Sequence, residues 1–380
     1  MNENILRDPQ NAWAADFGKL GFGLMRLPRR DDDTIDLEET KKMVDLYLSS
    51  GLNYFDTAWN YSGSEDAIRE ALVRRYPRDR YFLVSKLNAW AAKDETEAKD
   101  EIHVSLERTG AGYLDLQLLH ALREGANGDI YDEYRLWDYI RGLKEAGLIR
   151  HWGFSWHGKA EGLEKLLTEH PDTEVVQLQI NYADWDSEAI QSRANLEVCL
   201  RHRKPVIIME PVKGGLLAQP PAPVKELLLR ENPDADPVSW ALRFAGSLPG
   251  IVTVLSGMSS LDQMKENLAT MKDFHPLSEQ EKQTLREAQD LLRNADQIPC
   301  TACHYCTAGC PQKLNIPGIF ADMNMYRQYG SLELAKDHYA FTTSVGPAAS
   351  ECIACGQCEK ACPQGLPIIQ YLQETAEALE

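Results

Sequence analysis

Eight of the nine cysteines in this 380-residue chain lie in two runs, which begin at Cys300 and Cys352. Each run has the spacing C-x2-C-x2-C-x3-C-P, and the 299 residues before the first run contain only Cys199. Thiolates that are spaced in this way along a tight loop can bind one metal centre together. The two runs therefore predict metal ligation near the C-terminal end of the chain.

The spacing bears on which metal centre is bound. Paired C-x2-C sequences also form tetrahedral zinc sites, and zinc is the competing interpretation. A fourth cysteine followed by proline, present twice, is instead the pattern of bacterial two-cluster ferredoxins, in which that fourth cysteine completes the other cluster. The pattern predicts two [4Fe-4S] clusters, one with the ligands Cys300, Cys303, Cys306 and Cys362, and one with Cys352, Cys355, Cys358 and Cys310.

The interval between the two runs, residues 311–351, is long and has helical sequence patterns such as GIFADMNMYRQYGSLELAKDHYAF. A compact ferredoxin built on β-hairpins has a shorter interval. The tail therefore resembles the helical ferredoxins of heterodisulfide reductases and succinate dehydrogenases. This resemblance implies a small, mainly helical, ferredoxin-like domain with the same cluster ligation.

A second set of reactive side chains lies near the ends of apolar runs earlier in the chain. Asp56 and Tyr61 lie in FDTAWNYSGSE, Lys86 closes FLVSK, and His120 closes LDLQLLH. A nearby ammonium group favours the phenolate and thus lowers the pKa of a tyrosine, which makes the tyrosine a better proton donor. Lys86 can act on Tyr61 in this way, while Asp56 holds Lys86 and His120 hydrogen-bonds a carbonyl. Each residue alone is equally well explained by an ion pair or by packing; the four together favour catalysis.

The elements that must position these side chains are eight short β-rich runs that alternate with amphipathic helical patterns over the first 275 residues. The helical stretches include IYDEYRLWDYIRGLKEAG, which ends in a glycine suited to a helix terminus. Eight strand–helix units over about 250 residues are typical of a (β/α)8 barrel, and a doubly wound open sheet seldom needs so many. The fold class is therefore predicted to be α/β, a TIM barrel, whose reactive side chains lie at the C-terminal ends of the strands.

The strand pattern ends before HPLSEQEKQTLREAQDLLRNADQ, and from this segment onward the sequence has the patterns of helices or loops. This change predicts three segments. They are a barrel domain over residues 1–275, a helical linker over 276–298 and an iron–sulfur domain over 299–380.

Charge and hydropathy exclude several classes of function. A net charge of −18 argues against binding to nucleic acid or to an anionic membrane surface. The N-terminal residues have no apolar signal region, and no run of 18 apolar residues occurs, so no membrane attachment is predicted. Clustered thiols that stay reduced fit a cytoplasmic protein.

The segments YFDTAWNYSGSE, SKL and LLH resemble the aldo/keto reductase superfamily, and the resemblance covers about residues 17–274. It implies a (β/α)8 barrel that binds an extended nicotinamide dinucleotide without a Rossmann fold. The implied reaction is hydride transfer to an aldehyde or ketone, or the reverse. The family's Asp, Tyr, Lys and His tetrad matches Asp56, Tyr61, Lys86 and His120, with the tyrosine as the proton donor.

The same resemblance implies a set of cofactor contacts. Ser155 and Gln179, with Asn181 close by, match the positions that bind the nicotinamide carboxamide. The remaining matches lie over the pyrophosphate and at the adenosine end: Glu210, Pro211, Lys213, Gly214 and Gly215, and then Ser256, Gly257, Ser259, Gln263, Glu266 and Asn267.

One departure from the family concerns the 2′-phosphate of the cofactor. Many members place a lysine and an arginine there, whereas this chain has Gly257 and Gln263. The pattern GxSSxxQxxEN is closer to the branch of potassium-channel β subunits, which use NADPH. NADP(H) is therefore favoured as the cofactor, and NAD(H) stays open.

The sequence thus predicts an NAD(P)H-dependent oxidoreductase that acts on a small carbonyl or alcohol, with clusters that conduct electrons or serve as structure. The alternative is a nicotinamide-binding electron-transfer or redox-sensor subunit without carbonyl turnover. Hydride transfer needs no iron. A relay through the clusters would need a flavin, a radical-tolerant substrate or a redox protein partner, and no flavin fingerprint is present.

Overall fold

The structure is a computed structural model that describes residues 5–14 and 17–380. Residues 1–4 and 15–16 belong to the predicted barrel domain and lie outside the described residues. Eight parallel strands form a closed barrel, in which each strand pairs with the next and the last pairs with the first. They are β1 (Leu20–Gly23), β2 (Tyr54–Asp56), β3 (Phe82–Leu87), β4 (Leu114–Leu122), β5 (Ile149–Trp156), β6 (Val175–Gln179), β7 (Val206–Met209) and β8 (Ile251–Ser256). The predicted (β/α)8 fold is confirmed.

Helices connect the strands and continue beyond the last of them. The α-helices are α1 (Leu37–Ser49), α2 (Ser64–Ile68), α3 (Glu95–Thr109), α4 (Ala126–Glu133), α5 (Leu136–Glu145), α6 (Ala160–Glu169), α7 (Ser192–Arg201), α8 (Ala222–Glu231), α9 (Pro237–Gly246), α10 (Leu261–Met271), α11 (Glu279–Arg293), α12 (Tyr305–Ala308), α13 (Ile316–Tyr329), α14 (Leu332–Ser344), α15 (Gln357–Ala361) and α16 (Ile368–Leu379). A π-helical turn, Arg69–Val73, extends α2. The 3-10 turns are Pro9–Ala14, Leu24–Arg26, Arg78–Arg80, Ala89–Ala91, Lys213–Ala218 and Ala349–Glu351.

The chain divides into two compact units. The first comprises Met1–Lys213 with Val238–Ser278 and contains all eight strands. The second comprises Gly214–Pro237 with Glu279–Glu380, and its regular elements are all helical. The domain limits at 275 and 298 that the sequence suggests stay predictions.

The alternation of side chains along the strands decides which residues face the inside of the barrel. Phe55 packs against Tyr47 of α1, with ring centroids 5.1 Å apart, so its neighbours along β2 face inward. Inward-facing apolar residues form a cluster of their own, which includes Tyr54, Val84, Leu118 and Val175. The residues two positions further along the same strands therefore also face inward, at the C-terminal end of the barrel: Asp56, Lys86, His120 and Gln177.

The opposite end of the barrel is closed by aromatic packing. Trp13, from the 3-10 turn before β1, stacks on Phe82 at 5.9 Å and on His151 at 4.3 Å between ring centroids. Phe17 meets Tyr54 and Phe82 edge-on. This end is therefore filled, and the opposite end, termed the open end, carries the polar side chains.

The helical unit has its own apolar core. Helices α13, α14 and α16 pack against one another, and α8 packs against α11. The core contains Phe320, Leu372 and the third cysteine of each run, Cys306 and Cys358. Of the helices that the structure describes, none is long and apolar enough to cross a membrane.

Candidate active site and cluster ligands

Lys86 lies at the centre of the polar group at the open end of the barrel. Its Nζ atom donates to Asp56 Oδ1 at 2.5 Å, to Thr57 O at 2.7 Å and to Tyr61 Oη at 3.3 Å. The Lys86 side chain is completely buried, and the Asp56 carboxylate is almost completely buried. A buried cation is stable only when it is paired, and three acceptors satisfy the three donors of this ammonium group.

Gln177 completes the surroundings of Asp56 and was not predicted from the sequence. Its Nε2 atom donates to Asp56 Oδ2 at 3.1 Å, so both carboxylate oxygens have partners. Gln177 lies on β6 two positions before Gln179, and a buried polar residue in an otherwise apolar strand was the available signal. Its contact fixes the orientation of Asp56 and hence that of Lys86.

His120 and Tyr61 meet above this buried pair. Their ring centroids lie 5.9 Å apart at an interplanar angle of 77°. His120 Nδ1 is buried without a hydrogen-bond partner in the described part of the chain. Burial, together with the positive charge of Lys86, lowers the pKa of His120 well below its usual value. At neutral pH the ring is therefore uncharged.

The expected effect of Lys86 on Tyr61 is present, but another effect outweighs it. Enclosure by protein raises the pKa of Tyr61, and the charge of Lys86 opposes that rise without reversing it. Although burial alone would lower the pKa of Lys86, Asp56 and Tyr61 raise it above its usual value. Tyr61 is thus protonated at neutral pH beside a permanently charged lysine, so the expectation of a lowered tyrosine pKa was wrong.

A β-bulge sets the position of His120. Neither Lys86 nor His120 ends its strand as expected, because β3 continues to Leu87 and β4 to Leu122. The register of β4 with β5 shifts between Leu119 and Leu122, and Ala121 has a φ of 56°, in the left-handed region. Such bulges reorient side chains next to active sites. This one is held by Ser155 Oγ, which accepts from Ala121 N at 2.7 Å, and by Tyr131 Oη, which donates to His120 O at 2.5 Å.

Lys213 has a partner that the sequence did not reveal. Its Nζ atom donates to both carboxylate oxygens of Asp184, at 2.6 and 2.8 Å. Asn181 supports this pair by donating to Asp184 Oδ2 at 2.9 Å, and it also donates to Glu210 O at 3.4 Å. The lysine that was expected to face a phosphate is therefore neutralised in this structure.

The other predicted cofactor residues lie at three places. Ser155 is buried on β5, and Gln179 ends β6 half-buried. In the segment from Glu210 to Gly215, Pro211 is buried, and four residues have positive φ values: Glu210, Lys213, Gly214 and Gly215 at 55°, 51°, 64° and 109°. Gly214 and Gly215 belong to the helical unit, and the others belong to the barrel unit.

The segment after β8 forms a compact turn at the start of α10. Ser259 N donates to Gln263 Oε1 at 2.8 Å, and Asn267 Nδ2 donates to Ser256 Oγ at 2.9 Å. Gly257, Ser259, Gln263 and Glu266 are exposed, whereas Asn267 is buried. These residues lie at the N-terminus of a helix, where the helix dipole favours anions.

In the helical unit, one set of cysteines lines a small pocket of about 20 Å³. Its lining includes Cys300, Cys303, Cys306 and Cys362, together with apolar residues such as Phe320. Cys310, the last cysteine of the first run, is not among the lining residues. This grouping matches the predicted ligand set in which the second run supplies the fourth thiolate.

The second predicted set is arranged less tightly. Cys358 is buried in the apolar core, Cys310 and Cys352 pack against that core, and Cys355 is exposed. The short helices α12 and α15, which carry Cys306 and Cys358, contact each other. Both sets of thiols therefore adjoin the same core.

The two cysteine runs adopt the same backbone conformation. Left-handed residues occur at the same three places in each run, and the φ values agree within 11°. The pairs are Ala302 with Ala354 (51° and 52°), His304 with Gly356 (62° and 73°), and Lys313 with Gly365 (57° and 61°). Alternation between right- and left-handed residues points successive N–H groups into a concavity, a common feature of iron–sulfur sites. The runs are thus two copies of one ligand loop.

In the described part of the chain, no three or more His, Cys, Asp or Glu side chains converge closely enough to hold a metal ion directly. The thiols of the first set instead line one small pocket together. In a [4Fe-4S] cluster each iron atom binds one cysteine thiolate, so the four thiolates lie around the cluster and do not meet at a single atom. The arrangement of these thiols therefore fits a cluster.

The fold and the site together define the class of protein: a TIM barrel with a buried Asp–Lys pair beside a tyrosine, followed by a helical region with two cysteine runs. The chain belongs to the aldo/keto reductase family, because the model of that family matches residues 19–290. A 4Fe-4S dicluster domain matches residues 299–366.

Individual relatives are similar over about two thirds of the chain. An uncharacterized oxidoreductase of Bacillus subtilis, YqkF, is 23% identical over 286 residues, which are 67% of this chain and 87% of the relative. An aldo-keto reductase of Mycolicibacterium vanbaalenii is 29% identical over 246 residues, 64% of this chain and 81% of the relative.

Solved structures have the same fold. The holo form of aldo-keto reductase AKR11C1 from Bacillus halodurans is 25% identical with a TM-score of 0.55, covering 71% of this chain and 91% of that one. An aldo/keto reductase from Klebsiella pneumoniae, in complex with NADP and acetate, is 23% identical with a TM-score of 0.59. The match covers 72% of this chain and 92% of that one.

Proposed function

We propose that this protein is a nicotinamide-dependent oxidoreductase that interconverts a small carbonyl compound and its alcohol. The observation that carries the proposal is the position of Lys86, whose Nζ atom hydrogen-bonds both Asp56 and Tyr61. Membership of the aldo/keto reductase family supports the assignment, since these enzymes act on small carbonyl substrates.

The roles of the side chains follow from their contacts. When bound, the nicotinamide cofactor supplies or accepts the hydride. Tyr61 donates a proton from Oη to the carbonyl oxygen, and Lys86 at 3.3 Å stabilises the resulting phenolate. Asp56, oriented by Gln177, keeps Lys86 charged. The uncharged His120 ring donates a hydrogen bond from Nε2 to the carbonyl oxygen and orients it.

The proposed cofactor is NADP(H), and the chain offers groups that fit it. Ser155, Gln179 and Asn181 would hold the carboxamide, and the segment Glu210 to Gly215 would lie over the diphosphate, with left-handed residues that allow close backbone approach. The turn from Ser256 to Asn267 would hold the adenosine end. The Klebsiella pneumoniae relative binds NADP on the same fold, which supports this choice over NAD(H).

Cofactor preference gives a first prediction. The dissociation constant of NADPH is expected to be lower than that of NADH, and Gln263→Glu should narrow or reverse the difference because a carboxylate repels a 2′-phosphate. Gln10→Glu adds the same charge at an exposed position before β1 and should leave both constants unchanged. Fluorescence titration measures both dissociation constants for each of the three proteins. Equal affinities for NADPH and NADH in the unmutated protein would remove the case for NADP(H).

The cysteine-rich region is proposed to hold two [4Fe-4S] clusters in the crossed arrangement, and this matches the shared conformation of the two loops. The clusters either pass electrons to a redox protein partner or stabilise the helical unit. Because the ligands must stay reduced until iron binds, a cytoplasmic location is part of the proposal.

The second candidate function is a nicotinamide-binding electron-transfer or sensor subunit, which the 4Fe-4S dicluster region favours. One experiment separates the two candidates. Protein purified anaerobically and loaded with NADPH is challenged with simple aldehydes, and absorbance at 340 nm is followed. Aldehyde-dependent oxidation with formation of the alcohol supports the enzyme. Reduction of the clusters without alcohol formation supports the electron-transfer subunit.

A further inference from the structure

Two exposed polar side chains follow the paired ends of β4 and β5. Leu122 pairs with Trp156 in the last register of these strands, and His157 N donates to Leu122 O at 2.7 Å. Arg123 and His157 are the next residues of the two strands, and both are exposed. Neighbouring strand ends therefore present an arginine and a histidine side by side at the open end of the barrel.

The backbone of Arg123 is fixed by its surroundings. A Cβ atom on Gly128 of α4 would lie 2.3 Å from Arg123 O, so a side chain at position 128 is excluded. The bulge at Ala121, two residues before Arg123, is itself held by Ser155. A side chain that leaves a fixed backbone has a restricted reach, which is what a binding residue needs.

The charge of Arg123 is not neutralised by a neighbour. No ion pair of the residues described includes it. The adjacent carboxylate, Glu124, is directed toward α6, where its Oε1 accepts from Lys159 N at 2.8 Å. Although solvent reaches the His157 ring, neighbouring protein atoms and the charges of Arg123 and Lys86 lower its pKa. At neutral pH it is therefore an uncharged donor beside a cation.

The location favours a ligand other than the cofactor. The predicted phosphate contacts follow β7 and β8, which are three and four strands away from β4 around the closed barrel. His120, which faces the proposed reaction centre, lies on β4 three residues before Arg123. An anion bound at Arg123 would thus lie on the substrate side of the opening.

We infer that Arg123, with His157 as a hydrogen-bond donor, binds a carboxylate of the substrate, so that the preferred substrates are small oxo acids. A single guanidinium group binds a carboxylate through two parallel hydrogen bonds, a geometry in which arginine is favoured over lysine. The inference rests on the proposed carbonyl chemistry and specifies its substrate class.

The test compares 4-oxobutanoate with butanal, which have the same chain length and aldehyde group and differ in one carboxylate. The dissociation constants of both aldehydes are measured by calorimetry on the intact protein, with and without NADP+. Neither form can donate a hydride, so the aldehydes are not reduced during the measurement. We expect 4-oxobutanoate to bind about 10- to 100-fold more tightly than butanal. Arg123→Gln should abolish that difference and leave butanal binding unchanged, and Arg123→Lys should restore part of it.

Lys159→Gln is the matched control, because it removes one exposed positive charge from the loop after β5. This variant should change the dissociation constants of 4-oxobutanoate and butanal by less than twofold. Equal binding of the two aldehydes to the unmutated protein, or an Arg123→Gln variant that retains the preference, would overturn the inference. Turnover of butanal with NADPH is recorded in parallel, so that absence of carbonyl chemistry is distinguished from absence of carboxylate recognition.

Discussion

Tyr61→Phe is expected to lower kcat for carbonyl reduction by about 10²- to 10⁴-fold, the usual contribution of a positioned general acid. The substitution removes only the hydroxyl group that accepts from Lys86 Nζ at 3.3 Å. The ring volume and its edge-on contact with His120 are retained. The dissociation constant of NADPH should therefore stay within about twofold of its original value, and steady-state kinetics with fluorescence titration measures both quantities.

Tyr113→Phe is the matched control for this prediction. The centroid of the Tyr113 ring lies 3.9 Å from the Arg78 guanidinium and 4.2 Å from that of Arg150. Tyr113 directly precedes β4, at the opposite end of that strand from His120. Its phenylalanine variant keeps those contacts and should have the original kcat. Near-normal turnover in the Tyr61 variant would show that another group donates the proton. The proposed mechanism would then be wrong.

The sequence was sufficient to predict the barrel because each strand has a recognisable local sequence pattern. Strands of a parallel barrel are buried on both faces, so they are continuous apolar runs such as YFLV and PVIIM. The reactive side chains could be recognised for the same reason. A lysine in β3 or a histidine in β4 interrupts an apolar run, and burial of such a group needs an explanation.

The features that were missed depend on contacts between distant residues. Nothing near Lys213 in the sequence indicates that Asp184, 29 residues earlier, neutralises it. The rise in the pKa of Tyr61 likewise comes from the enclosure of the side chain, which no local pattern records.

Backbone breaks at residues other than glycine were equally hidden. The stretch IYDEYRLWDYIRGLKEAG predicts one helix, but the structure has two, α4 and α5, separated at Arg135 with a φ of 51°. Ala121 adopts a similar conformation at the bulge next to His120. Left-handed conformations are unfavourable for these residue types, so tertiary packing must impose them. The periodicity of apolar residues in the sequence does not indicate where packing imposes an unfavourable backbone conformation.

The pairing of the cysteines gives the second prediction with a large effect. In the crossed arrangement Cys306 and Cys362 serve the same cluster, as their shared cavity indicates, whereas Cys310 serves the other. Cys306→Ala should lower the iron content from about eight to about four atoms per chain. Adding Cys362→Ala should cause no further loss, because that cluster is already absent. Adding Cys310→Ala instead should lower the iron content to nearly zero.

Iron and sulfide are counted after anaerobic purification, and circular dichroism reports the helical content of each variant. The two double variants, Cys306→Ala with Cys362→Ala and Cys306→Ala with Cys310→Ala, each lack two cysteines. General destabilisation therefore lowers both counts together and cannot produce the predicted difference. If each run held its own cluster, the order would reverse: the pair with Cys310 would keep about four iron atoms, and the pair with Cys362 would keep almost none. That reversal would exclude the crossed arrangement and leave the lining of the Cys300 cavity without a role in ligation.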